Sequence, residues 1–112
     1  MSKFDEAITE CKTQMESCNI ECDEQLLKAI CKGLGPSLYN RDSFLVAAAD
    51  PKEIENIKTR FLHRKLRVDS VSENDAAIAH AIQTLGESNR QKCRPVFYYL
   101  LVKFLNKESV YA

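Results

Sequence analysis

Apolar residues recur along most of this chain at helical spacing. At 100° per residue, Phe4, Ala7, Ile8, Cys11, Met15 and Cys18 fall on one narrow stripe, with charged and polar residues on the remaining surface. Ser2 stands where an N-cap belongs, and Asp5 supplies a first-turn acid that suits the positive end of the helix dipole. Asp23 caps a second helix whose Leu26, Leu27, Ile30, Cys31 and Leu34 share a face. Gly35 and Pro36 end it, because glycine adopts the left-handed C-terminal conformation and proline cannot extend the ladder. Between Ser37 and Asp50 no period dominates. The stretch SFLVAAAD is short and apolar, and it predicts a turn plus a short buried helix.

From Asp50 the periodicity returns. Aspartate caps, Pro51 occupies the first turn without losing a hydrogen bond, Glu53 favours the dipole, and Ile54, Ile57, Phe61, Leu62 and Leu66 form the buried side. Ser72 and Asp75 open a further helix with Ala77, Ile78, Ala81, Ile82 and Leu85 inward and Gly86 at its end. The last helix begins between Asn89 and Pro95 and runs to about Asn106; a Pro95 beyond the first turn would kink it. LKAICKGLG at Leu27–Gly35 and IAHAIQTLG at Ile78–Gly86 are alike, and each leads to a later aromatic helix. Two duplicated helical hairpins explain the likeness, as does the generic form of helix ends.

The loudest stretch is RPVFYYLLVKFL, Arg94 to Leu105. Its uninterrupted apolar run, Val96 to Val102, is far shorter than the roughly 20 residues a spanning helix requires, so a membrane anchor is rejected. Phe97, Leu100, Leu101, Phe104 and Leu105 gather on one side of a helical wheel, while Tyr98, Tyr99 and Val102 occupy the flank and the opposite side. Apolar character all round predicts a central helix. Its tyrosine side should meet a second chain or a covering element, which makes Phe97, Tyr98, Tyr99 and Val102 the candidate interface.

Composition narrows the class. A length of 112 residues suits one domain over residues 1–112, and three glycines with three prolines leave little material for an all-β fold of many turns. Few, long elements point to an all-α domain of five or six helices. The formal net charge is zero, so no global field draws the chain to nucleic acid or to an anionic membrane. Charge is nevertheless uneven: residues 1–24 carry seven acids against two lysines, whereas Lys58 to Arg67 carries five basic residues and no acid. The acidic, periodic start is unlike a secretory signal, Ser2 replaces the glycine that myristoylation needs, and SVYA offers no prenylation cysteine. A cytoplasmic chain is expected, and its five cysteines, odd in number, are then reduced thiols.

Candidate chemistry is sparse. KGLGPSLYN lacks both the third glycine of a dinucleotide fingerprint and the lysine and hydroxyl of a P-loop, so it reads as a helix end. Cys18 and Cys22 are the closest cysteine pair, wider than Cys-x-x-Cys, and Cys11, Cys18 and Cys31 belong to apolar stripes; no metal site and no cofactor are expected. Cys93 differs, because Arg90, Lys92 and Arg94 surround it near a helix start, conditions that favour a reactive thiolate. A thiol-dependent enzyme or redox sensor is one alternative, but it needs a base, and His63 and His80 lie opposite the apolar stripes of their helices. A nucleic-acid binder is another. It would use Lys58, Arg60, Arg64, Lys65, Arg67, Arg90, Lys92 and Arg94, although apolar residues interrupt the first segment at core spacing.

The segments LLKAICKGLGPSLYN, FLHRKL and NRQKCRPVFYYLLVKFLNKESVY together resemble a family of small bacterial proteins known only as a domain of unknown function. The likeness spans nearly the whole chain. It implies an all-helical fold and intertwined homodimers, and it carries no catalytic or binding residues. The reading that follows is a non-catalytic self-associating or partner-binding module, with a homodimer or another protein as partner.

Overall fold

Ser2 caps the first helix, α1 (Lys3–Ser17), its hydroxyl accepting the Asp5 N–H at 3.1 Å. The computed structural model describes residues 2–111; Met1 and Ala112, the outer bounds of the expected domain, lie outside the described residues. In α2 (Glu24–Leu34) the Asp23 carboxylate accepts the Leu26 N–H at 3.3 Å, and the helix stops at Gly35, whose φ of 59° is left-handed.

A 3-10 turn (Gly35–Tyr39) and the one-turn α3 (Arg41–Phe44), capped by Asn40, carry the chain onward. The expected turn is present, but the short helix is not the buried one expected: of its four residues Phe44 alone is buried. The rest of SFLVAAAD is not helical: Leu45 bridges Cys93 in antiparallel fashion, and Val46 donates its N–H to Lys92 O at 2.9 Å. This extended stretch lies against the approach to the last helix.

Asp50 caps α4 (Pro51–Asn56), which continues without a break into a π-helical segment, Ile57–Lys65. There Leu66 donates its N–H to Phe61 O at 2.9 Å, an i→i+5 bond. The reason is written in the apolar spacing. At 100° per residue Ile57, Phe61, Leu62 and Leu66 spread over about half the wheel. At the roughly 82° per residue of an i→i+5 helix they gather within about 80°. All four are buried, so the wider turn places on one face what an α-helix would splay.

Ser70, rather than the expected Ser72, caps α5 (Val71–Leu85), its hydroxyl accepting the Glu73 N–H at 3.3 Å. Ser72 is already the second helical residue and meets the Ser70 hydroxyl instead, at 3.2 Å. The helix ends at Gly86, again with positive φ, as α2 ends at Gly35. In α6 (Arg94–Phe104) Pro95 is the second helical residue, where no intrahelical donor is lost, so the helix is not kinked. A 3-10 turn, Glu108–Tyr111, closes the described chain.

The helix α6 is the centre. It packs on α5, α2, α1 and α3, and its Val96, Phe97, Leu101 and Val102 have no exposed surface. The described residues form an all-α body with a radius of gyration of 12.9 Å. About 13 Å is expected for a compact chain of this length. Among the described residues no helix is long and apolar enough to cross a membrane.

Candidate functional site

Chemistry concentrates where α6 begins. Cys93 is its N-cap residue, buried at the junction with α1 and α2. The position is fixed by Gln14 of α1: its Oε1 accepts the Cys93 N–H at 3.0 Å while its Nε2 donates to Gln91 O at 2.6 Å. Cys11 and Cys31 meet Cys93 here. The neighbouring thiols of Cys31 and then Cys93, followed by burial, push the Cys11 thiol far above its ordinary value. These surroundings favour the protonated form of the Cys11 thiol.

The neighbouring cations are directed elsewhere. Arg94 donates through Nε to Ser43 O and pairs with the Glu53 carboxylate, and its remaining nitrogens reach Tyr98 Oη at 3.0 Å and Leu45 O at 3.4 Å. Burial alone would lower its pKa, but Tyr98 and Glu53 more than offset this and hold the guanidinium charged. The Tyr98 ring stacks on Phe61 of the π-helical segment with centroids 3.9 Å apart and planes 17° apart. Burial pushes its phenol up, against the pull of Arg94. Tyr99 performs a different task. Its hydroxyl donates to Glu21 O and accepts the Asp23 N–H, both at 2.9 Å, clamping the link between α1 and α2 onto α6.

The candidate interface is thereby covered. Phe97, Tyr99 and Val102 are buried and Tyr98 is half-buried, all against this chain's own elements. Of the two coverings expected for the tyrosine side, a second chain or another element, the chain itself supplies the latter.

The basic segments do not remain one surface. Lys58 is half-buried and pairs with Asp75 at 2.8 Å, Lys92 is buried, and Arg94 is engaged with Glu53. Arg60, Arg64, Lys65, Arg67 and Arg90 stay exposed. Of the eight basic residues that a nucleic-acid binder would use, Lys58, Lys92 and Arg94 are thus drawn in by burial or by carboxylate partners. His63 is exposed and pairs with Asp69 at 2.6 Å, and His80 is exposed beside the Phe104 ring. Neither bonds to Cys93. Cys18 is half-buried and Cys22 exposed, and among the described residues no group of three or more His, Cys, Asp or Glu is arranged to hold a metal ion.

A family model described as "Protein of unknown function (DUF2853)" matches residues 5–109. The chain belongs to this family. The DUF2853 match takes in the cysteine cluster, the Arg94–Glu53 pair and the Tyr99 clamp. No curated protein shows a significant match. Sequence reasoning missed Gln14, and it saw Glu53 only as a dipole residue. Their partners lie 79 and 41 residues away, so no local spacing announces them.

Proposed function

We propose that this DUF2853 chain is a non-catalytic module that acts by recognition, associating with itself or with a protein partner. The observation that supports this most directly is the setting of Cys93. Catalysis by a thiol needs a thiolate, a base and access for the reactant. Cys93 is instead buried, in contact with a protonated thiol, and bonded through its backbone to Gln14. Arg94, Tyr98 and Tyr99 likewise direct their polar atoms at backbone carbonyls, a carboxylate or one another.

Self-association is the form that the family likeness implies. The enclosure of α6 favours contact between surfaces over exchange of α6 between chains. Light scattering at tens of micromolar tests this, with an expected mass near twice the 12.8 kDa of one chain. A single-chain mass, together with an affinity pull-down from the native host that recovers no reproducible protein, contradicts the reading.

A further inference from the structure

Residues 46–50 and 87–90, together with Lys92, line a cavity of about 660 Å³. That volume lies within the roughly 300–1,000 Å³ typical of small-molecule sites. Lys92 forms part of its wall with only 2% of its surface exposed. Among the described residues no carboxylate lies within ion-pair distance of its ammonium, whose one hydrogen-bond partner is Asn89 O. An ammonium carries three donors, and a buried charge is costly unless it is paired. Burial pushes the Lys92 pKa down, an effect that Glu87 only partly offsets.

The wall is built rather than slack. Asn89 donates its N–H to Gly86 O at 3.0 Å and its Nδ2 to Leu85 O at 3.0 Å, while its Oδ1 accepts the Gln91 N–H at 2.9 Å. Val46 then ties the extended segment to Lys92 O at 2.9 Å. Lys92 is therefore delivered by a fixed loop. Facing it are the apolar Val46, Ala47 and Ala48, with Arg90 as a second cation on the lining. Of the two acids present, Asp50 has an oxygen engaged with the Lys52 N–H at 2.9 Å, and Glu87 is exposed.

We propose that this cavity binds a small monoanionic carboxylate bearing a short aliphatic group. The carboxylate meets the Lys92 ammonium with Arg90 beside it, and the carbon chain lies on Val46, Ala47 and Ala48. Glu87 and Asp50 disfavour a second negative charge, which selects a carboxylate over a phosphate. The site goes beyond the recognition role and stands or falls separately from it.

Amide NMR titrations of the full chain with butyrate, neutral butyramide and inorganic phosphate test the assignment on wild type, Lys92→Met and Glu87→Gln. Butyrate should give saturable shifts confined to residues 46–50 and 87–92. Affinity should fall at least about tenfold for butyramide and in Lys92→Met, and rise in Glu87→Gln. Failure of butyrate to saturate, equal binding of butyramide, or unchanged affinity in a natively folded Lys92→Met overturns the proposal. Tighter binding of phosphate than of butyrate overturns the choice of carboxylate. Should Lys92→Met not fold, the butyramide comparison and Glu87→Gln decide.

Discussion

Arg94 engages four residues with one guanidinium: Ser43 and Leu45 through their carbonyls, Glu53 through its carboxylate, Tyr98 through its hydroxyl. Removing it strands a carboxylate that is only 18% exposed, so Arg94→Met should cost about 3 kcal/mol. Urea unfolding measures this, and a double-mutant cycle with Glu53→Gln should recover part of the loss. The thiols offer a second test. Cys22 is exposed, whereas Cys11, Cys31 and Cys93 are buried, so a thiol reagent at neutral pH should label Cys22 first and those three only on unfolding. Because the folded chain retains the Cys11 proton after the unfolded chain has released it, stability is full below the ordinary thiol value of 9.0 and declines as pH rises above it. Urea midpoints at about pH 7 and about pH 10 should show that fall. Flanking charge in the sequence suggested a reactive Cys93, and the structure directs both flanking cations to other partners. At a helix start successive side chains diverge, and the ammonium of Lys92 and the guanidinium of Arg94 bond to Asn89 O and Glu53. Where those two charges are directed is absent from a string of letters.

At the scale of elements, helix starts at Ser2, Asp23 and Asp50 were legible because each cap bonds within three residues of itself. The π-helical segment was equally legible in principle, since the spacing of Ile57, Phe61, Leu62 and Leu66 fits an i→i+5 turn. A reading fixed at 100° per residue identifies the right buried residues and the wrong pitch. What that pitch achieves is the placement of Phe61 flat on Tyr98. Phe61→Ala should cost about 3–5 kcal/mol by thermal or urea unfolding, from lost stacking and the cavity left behind. The turn after α5 depends on backbone freedom. Gly86 has φ of 97°, so Gly86→Ala should destabilise by about 1 kcal/mol or more, although a Cβ there meets only Asn89 Cβ at an ordinary 3.6 Å. The bridge between Leu45 and Cys93 was not legible, because SFLVAAAD has no period and the pairing joins residues 48 positions apart.

Across the whole molecule, the all-round apolar character of α6 correctly marked a central helix. It did not say whose side chains surround it, since a helix buried in its own domain and one buried between two chains show the same pattern. The structure surrounds α6 with α1, α2, α3 and α5, and the Tyr99 clamp and the Phe61–Tyr98 stack close its tyrosine side. Any association between chains would then leave this core unchanged and add protection elsewhere. Hydrogen exchange of the full chain, read by mass spectrometry from about 1 to about 100 µM, tests that enclosure most directly. Peptides of α6 should be among the slowest to exchange, at the same rate at every concentration. Protection of α6 that appears only as concentration rises would show that a second chain completes its cover, and would contradict the enclosure described.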